Sequence, residues 1–151
     1  MDKKGILTGE VFHDREPDQV EQTEKLRRLI FWFWHDLSHF ITAVGRGQLW
    51  WAQGQLEILR GSCIGLARLW NDFSDDHIGD EVYFKLEEVI PIRQLSVLQV
   101  AFCPMDADAM IQSSLVIVRF YKELAKPLAK QHGLSYPDVL EHVMIHRLEN
   151  L

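Results

Sequence analysis

Apolar residues recur every three or four positions between residues 46 and 71, and this is the most regular pattern in the chain. An average repeat of 3.5 residues keeps apolar side chains on one face of an α-helix. Trp51 and Ile58 lie beside the stripe and widen the apolar face. The pattern therefore predicts a central helix with at least two packed neighbours. Its stripe consists of Leu49, Ala52, Leu56, Leu59, Cys63, Leu66 and Trp70.

The preceding stretch, residues 18–44, carries a similar repeat. A Glu-Pro-Asp sequence at 16–18 favours a helix start, because proline fits the first turn and acidic residues suit the positive end of the helix dipole. The repeat ends at Gly45, and the short Gly45–Gly47 connection predicts antiparallel packing on the central helix. The apolar positions of this helix are Leu26, Ile30, Phe33, Leu37, Phe40 or Ile41, and Val44.

The second half of the chain predicts a polar loop and four further helices. The loop covers 72–80, short helices cover 81–90 and 92–102 on either side of Pro91, and a long helix runs from about 106 to Gly133. A last helix covers about 135–148. The fold class is therefore all-α, a mainly antiparallel up-and-down bundle of four to five helices. Residues 16–151 form the bundle domain, and residues 1–15 are a tail or a linker from a preceding domain.

Two glycines, Gly54 and Gly61, are seven positions apart and so share one face of the central helix. A glycine inside a helix costs about 1 kcal/mol relative to alanine, so such a position usually has a packing reason. We expect a close contact with a neighbouring helix at this face. Access for a ligand is the alternative.

Composition narrows the classes of partner. The chain has 151 residues, a net charge of -6 and 47% hydrophobic residues, which suits one domain with one core. The basic residues are scattered, which disfavours nucleic acid and leaves a cationic small molecule as the better partner. Cys63 and Cys103 have apolar neighbours, as expected for reduced thiols in a cytoplasmic protein. The lack of an apolar stretch of about 20 residues disfavours a membrane partner.

Two histidine pairs have a spacing that places both rings on one helical face, His35 with His39 and His142 with His146. A zinc site requires further ligands and often a neighbouring glutamate base, and neither pair has the metalloprotease pattern. The sequence therefore predicts no metal site. Interface or pocket-lining roles are expected for these residues.

Trp32 and Trp51 lie outside the main apolar stripes and are candidates to line a groove that stacks a flat ligand or a sugar ring. Carboxylates beside such a groove would bind an ammonium-rich substrate. Asp36 and Glu57 are the acids expected at this position. All four residues are therefore predicted to bind substrate.

Four segments, in order and spacing, carry a family resemblance. They are Phe33-Trp34, Arg-Gly-Gln-Leu-Trp-Trp-Ala at 46–52, the stretch 120–128, and Gly-Leu-Ser-Tyr-Pro at 133–137. Together they resemble the C-terminal helical domain of aminoglycoside and lincosamide-type antibiotic nucleotidyltransferases, the streptomycin adenylyltransferase type among them. The opening Asp-Lys-Lys-Gly at 2–5 resembles the end of the last strand of their catalytic domain.

The resemblance implies a substrate-binding domain. In that family a separate catalytic domain carries a Gly-Ser turn and paired aspartates that bind ATP or another NTP with Mg²⁺, and this chain has no such domain. We therefore expect no activity from the chain alone, no cofactor bound by it alone, and a catalytic nucleotidyltransferase domain as its partner.

The resemblance also suggests residue roles. Glu57 would act as the base on the acceptor hydroxyl, and Glu87 or Glu88 would be further acids that face the substrate. Arg46, expected at the start of the central helix, would meet a phosphate from the partner domain.

Two alternatives from other classes stay open. Arg28 and His35 have the Arg-x6-His spacing that resembles the ribonuclease motif of the HEPN bundle family, in which they would have to converge across a homodimer. This alternative is a HEPN-like RNase or a toxin-antitoxin bundle. The other alternative is a non-catalytic oligomerising bundle, for which a dry and filled centre is expected.

Overall fold

The structure is a computed structural model that describes residues 18–78 and 81–151, so the predicted tail at 1–15 lies outside the described residues. Within these ranges the chain forms six α-helices and no β-strand, which confirms the all-α prediction. None of the helices in the described part of the chain is long and apolar enough to span a membrane. The helices are α1 (Gln19–Gly45), α2 (Leu49–Asn71), α3 (Leu86–Val89), α4 (Ile92–Val100), α5 (Ala107–Gln131) and α6 (Asp138–Leu148).

The connection between α1 and α2 is a glycine-based helix cap. Gly47 has a φ of +67°, its N–H donates to the Val44 carbonyl at 2.9 Å, and the Gln48 N–H donates to the Ala43 carbonyl at 2.9 Å. This is a Schellman motif, in which only glycine avoids strain. The predicted end of the first helix at Gly45 is confirmed, since Gly45 is the last helical residue and the cap follows it.

The central position predicted for α2 is confirmed. Its most extensive contacts are with α1 and α5, and it also packs on α4. The middle of the predicted stripe is fully buried, whereas Leu49 is partly buried and Trp70 is 41% exposed at the two ends. The apolar face therefore points into the bundle over about four turns of the helix. The fully buried stripe residues are Ala52, Leu56, Leu59, Cys63 and Leu66.

A buried tyrosine joins α5 to α1. The Tyr121 hydroxyl donates to the Ile30 carbonyl at 2.7 Å, and its ring stacks on the Phe33 ring at a centroid distance of 3.6 Å. Stacked aromatic pairs of this kind contribute about 1 kcal/mol beyond the area they bury. The core of the bundle thus lies between α1, α2 and α5.

A polar cluster fixes α6 against α5. Glu141 is buried and accepts a hydrogen bond from the Tyr136 hydroxyl at 2.7 Å, while Lys122 and Lys126 lie 3.2 and 3.1 Å from its other oxygen. Burial opposes the charge on Glu141, but Tyr136 and the two lysines outweigh it, so the pKa of Glu141 lies below its ordinary value. The carboxylate is therefore ionised at neutral pH.

The loop after α2 is organised by one buried arginine. Arg68 is fully buried, and its guanidinium donates to the Val82 carbonyl at 2.8 Å, to the Asp75 carboxylate at 2.7 Å and to the Phe84 carbonyl. Gln22 on α1 donates to the Asp75 carbonyl at 2.8 Å, which ties the same loop to the first helix. These contacts hold the loop at Asp75, Val82 and Phe84 against α1 and α2.

Arg68 also explains why one predicted helix is shorter than expected. The sequence predicts a helix over 81–90, but α3 covers only Leu86–Val89. The Val82 and Phe84 carbonyls accept hydrogen bonds from Arg68, and Lys85 has a left-handed φ of +49°. The tertiary contact therefore replaces a local helix over 81–85. Separately, the described residues contain six helices, whereas the bundle was predicted to have four to five.

We expect Arg68→Met to lower the free energy of unfolding by about 3–5 kcal/mol, because it leaves the Asp75 carboxylate buried without its partner charge. Urea unfolding followed by circular dichroism measures this loss. Arg119→Met, at an exposed position of α5, is the matched control and should change stability by less than about 0.5 kcal/mol. The double variant Arg68→Met/Asp75→Leu should recover part of the loss; a loss equal to that of the control would contradict this account.

We also expect the free energy of unfolding to fall as the solution is acidified. Burial raises the pKa of Asp75, but the His77 backbone N–H and the Arg68 guanidinium outweigh burial, and the pKa lies below its ordinary value of 3.8. The stability that Asp75 contributes is therefore fully present above that ordinary value and is lost as the pH falls through the lower folded-state value. Urea unfolding between pH 6 and about pH 2 should show a smaller decline in Arg68→Met/Asp75→Leu than in the unmodified chain.

Candidate functional site

A surface groove runs between α1 and α2, and we call it the α1–α2 groove. Its two ends are fixed by contacts across the helix pair. At one end the Leu29 side chain lies 3.2 Å from the position that a Cβ of Gly65 would occupy, and at the other the His39 and Trp51 rings are 5.7 Å apart. The ten residues from Leu29 to His39 correspond to about 15 Å of helix.

Helical periodicity shows which residues of α1 and α2 face the surface between these two contacts. On α1, Trp32 and Asp36 follow Leu29 at i+3 and i+7 and so lie on the same face as His39. On α2, Gly54, Ile58 and Gly61 lie on the face that connects Trp51 to Gly65. The predicted residues Trp32, Asp36 and Trp51 therefore lie along the surface between the two contacts.

Glycine opens the α2 side of the groove. A Cβ added at Gly54 or at Gly61 would meet no described atom within 4 Å, whereas one at Gly65 would press on Leu29. The expectation of a close helix contact at Gly54 and Gly61 was therefore wrong, because the neighbouring helix approaches at Gly65 instead. The two glycines leave space along the groove that a ligand can enter.

A cavity of about 340 Å³ forms the Leu29 end of the groove. Its walls are mostly apolar, and the Glu57 carboxylate and the Tyr83 hydroxyl bring polar groups to it. A few polar groups in an otherwise apolar cavity are typical of sites that bind small molecules. The lining residues are Leu29, Glu57, Ile58, Gly61, Ser62, Ile78, Val82 and Tyr83.

Two neighbours orient the Glu57 carboxylate. The Tyr83 hydroxyl donates to one oxygen and the Arg60 guanidinium to the other. The Glu57 side chain is 49% exposed, while that of Arg60 is 1% exposed and lies beneath it. The pair therefore presents its negative member to the cavity, and each carboxylate oxygen retains a further acceptor position.

Arg60 is held rigidly from the other side. Its guanidinium donates to the Ala101 carbonyl at 3.0 Å and lies 4.0 Å from the centre of the Phe102 ring. A cation over an aromatic face is stabilised by the charge distribution of the ring. Arg60 thus links α2 to the end of α4 and fixes the carboxylate of Glu57 in turn.

Tyr83 acts as a hydrogen-bond donor in this cavity. Burial and the hydrogen bond to the nearby Glu57 carboxylate raise the pKa of Tyr83 to about 12. The hydroxyl therefore keeps its proton at neutral pH. Since a protonated hydroxyl also has free lone pairs, Tyr83 can accept a hydrogen bond from a bound amine or hydroxyl.

The opposite end of the groove is lined by a row of four rings, Trp32, His35, His39 and Trp51, which we call the aromatic–histidine row. Neighbouring ring centroids are 5.0, 4.5 and 5.7 Å apart along it. Trp32 is 57% exposed and Trp51 is 37% exposed, so both present indole surface to solvent. The predicted pair of tryptophans is therefore accessible for stacking.

The structure places three other predicted residues away from the groove lining. Glu87 and Glu88 are exposed on α3, where Glu88 lies 3.9 Å from Lys85. Arg46 is the C-cap of α1, and its N–H donates to the Thr42 carbonyl at 3.2 Å. The expectation that Arg46 lies at the start of α2 beside free N–H groups was wrong, because α2 begins at Leu49.

The residues of the HEPN alternative have separate partners. Arg28 is an exposed side chain that pairs with Glu24 at 3.5 Å, while His35 contacts Asp36 and His39. The two residues are two helical turns apart on α1, which corresponds to about 10 Å along its axis. They do not meet within one chain.

Sequence reasoning missed Arg60 and Tyr83. Arg60 follows Glu57 at i+3, a spacing at which an ion pair forms on a helix, so a local signal existed for it. Tyr83 comes from the loop held by Arg68, and no local pattern links it to Glu57. Its contribution to the site required the fold.

In the described part of the chain, no group of three or more His, Cys, Asp or Glu side chains has an arrangement that could hold a metal ion. Comparison with protein-family models, with curated proteins and with solved structures gave no match.

We expect Gly54→Ala and Gly61→Ala each to raise the free energy of unfolding by about 0.5–1 kcal/mol, since alanine favours the helix and the space is open. Gly65→Ala is the matched control. It should gain less or lose stability, because its Cβ would lie 3.2 Å from the Leu29 side chain. Urea unfolding measures the free energy of unfolding of all three variants. If Gly54→Ala and Gly61→Ala were destabilising, the space beside these glycines would be filled in the folded protein.

Proposed function

We propose that this chain is the substrate-binding helical domain of a nucleotidyltransferase and that its α1–α2 groove binds a small, cationic, ring-containing molecule of the antibiotic type. The observation that carries the proposal is the oriented Glu57 carboxylate in an apolar cavity. The resemblance of the 46–52 and 133–137 segments to that enzyme family supplies the reaction class.

The charge arrangement at Glu57 suits a cation. Arg60 is buried beneath the carboxylate, so a ligand that enters from solvent meets the carboxylate oxygens before it meets the guanidinium. A hydrogen bond between an ammonium group and a carboxylate is about twice as strong as a neutral one. The net charge of -6 adds a weak attraction over longer distances.

The remainder of the groove suits rings. Trp32, one turn along α1 from Leu29, and Trp51, at the His39 end, both offer exposed indole faces, and Asp36 lies on the same face of α1 as Trp32. A molecule with a charged amine and a sugar or aromatic ring would contact both ends of a groove about 15 Å long. Gly54 and Gly61 leave the middle of the groove open to such a molecule.

The chemical role proposed for Glu57 is that of a base. An acceptor hydroxyl must lose its proton as it attacks the phosphorus of a nucleotide, and a carboxylate within hydrogen-bond distance takes that proton. Arg60 and Tyr83 hold the Glu57 carboxylate in one orientation for this step. A partner catalytic domain would supply the NTP and Mg²⁺.

Calorimetric titration of the purified chain with a panel of aminoglycosides, lincosamides and nucleotides tests the proposal. We expect saturable binding of a cationic member, weakened about tenfold or more by Glu57→Gln, which removes a charge-assisted hydrogen bond. Gly61→Leu should weaken binding as well, because it fills the cavity.

Glu123→Gln is the matched control, since it removes an exposed acid on α5 and has the same effect on net charge. It should leave the affinity unchanged. Binding that Glu57→Gln and Glu123→Gln affect equally would contradict a site at Glu57. Lack of binding by every cationic compound in the panel would contradict a preformed pocket in this chain.

A further inference from the structure

His35 and His39 face each other across one turn of α1. Their Nε2 atoms are 3.2 Å apart, and the His35 side chain is 52% exposed while His39 is partly buried. The two nitrogens share a hydrogen bond, in which the N–H of one Nε2 donates to the other Nε2. Two imidazole nitrogens that converge in this way form the start of a metal-binding site.

The distance between the two nitrogens fits a transition-metal ion. Zinc–nitrogen bonds are about 2.0–2.1 Å long, so two nitrogens 3.2 Å apart subtend an angle of about 103° at a shared ion. A tetrahedral site has angles near 109°. An ion that replaces the shared proton therefore requires the two rings to turn until both Nε2 lone pairs point at it.

Asp36 supplies the contact that metal-binding histidines usually have. Its carboxylate lies 3.3 Å from Nδ1 of His35, and its side chain is only 18% exposed. A carboxylate that accepts the Nδ1 proton fixes the tautomer in which Nε2 has a free lone pair, and it raises the basicity of the ring. The geometry thus prepares His35 to bind through Nε2.

The two tryptophans of the groove flank this pair. The Trp32 ring packs edge-on against His35 at 5.0 Å, and the Trp51 ring lies 5.7 Å from His39. Their indole groups restrict the rotamers of the histidines. They also place two fluorophores beside the converging nitrogens.

We propose that His35 and His39 form a two-histidine site for one divalent transition-metal ion per chain, with Asp36 as the positioning residue. Imidazole ligands suit Zn²⁺, Ni²⁺ and Cu²⁺. Two protein ligands leave the remaining coordination positions to water or to a donor group of a molecule in the α1–α2 groove. This site does not depend on the nucleotidyltransferase proposal, since it requires no antibiotic or nucleotide.

Titration of the purified chain, prepared without a polyhistidine tag, with CuCl2, NiCl2 and ZnCl2 tests the site. Calorimetry should show one ion per chain and the affinity order Cu²⁺ above Ni²⁺ and Zn²⁺. Cu²⁺ and Ni²⁺ should also quench tryptophan fluorescence, whereas diamagnetic Zn²⁺ should not. Trp32→Phe should reduce the quenched fraction.

The variant His35→Gln/His39→Gln should weaken Cu²⁺ binding by at least about tenfold, and Asp36→Asn should weaken it by about tenfold through the loss of orientation. The matched control is His142→Gln/His146→Gln, which changes the equally spaced pair on α6, where Nδ1 of His146 contacts the Asn150 side chain at 3.3 Å. This control should bind Cu²⁺ as the unmodified chain does.

The electron paramagnetic resonance spectrum of the Cu²⁺ complex provides a second readout. It should show coupling to two imidazole nitrogens in the unmodified chain and in the α6 control. Equal affinity in His35→Gln/His39→Gln and the unmodified chain would overturn the proposal, and so would loss of binding in the α6 control alone. Urea unfolding of each variant establishes that any loss comes from the site and not from the fold.

Discussion

The buried charge of Arg68 is the constraint on which the rest of the structure depends. An unpaired guanidinium inside a bundle would cost several kcal/mol, so each of its three nitrogens must find an acceptor. They find them in the Asp75 carboxylate and in the carbonyls of Val82 and Phe84. These carbonyls flank Tyr83, and Arg68 therefore determines where that residue meets Glu57. The core and the candidate site are linked through one side chain.

The two faces of α2 have different roles. The stripe that includes Leu56 and Leu59 packs into the core, while Gly54 and Gly61 leave the other side open to solvent. Glycine lowers the intrinsic stability of a helix, so burial on the apolar face must compensate for the open face. Arg60 connects the two faces, since it is buried and yet orients the half-exposed Glu57. The helix thus combines packing with a binding surface.

The groove has chemically distinct ends, and each end could bind a different part of a ligand. The Glu57 cavity offers a carboxylate and a hydroxyl among apolar walls, and the aromatic–histidine row offers indole faces and two imidazole nitrogens. A metal ion at His35 and His39 would add a positive centre about 15 Å or less from Glu57 along the helix pair. Both ends share α1 and α2, which are connected through the Gly47 cap, and the loop residues Ile78, Val82 and Tyr83 complete the Glu57 end.

The sequence by itself determined the helices α1, α2, α5 and α6. The spacing of apolar residues and the residue types that begin and end a helix act over only a few positions. It also indicated Trp32, Asp36, Trp51 and Glu57 as candidates, because these residues lie off the apolar stripes. Only the tertiary structure decided that Arg68 prevents a helix over 81–85, that Tyr83 reaches Glu57, and that Gly65 rather than Gly54 or Gly61 meets a neighbouring helix. Each of these three outcomes depends on contacts between residues that are distant in the chain. A local sequence pattern does not contain the geometry of such contacts.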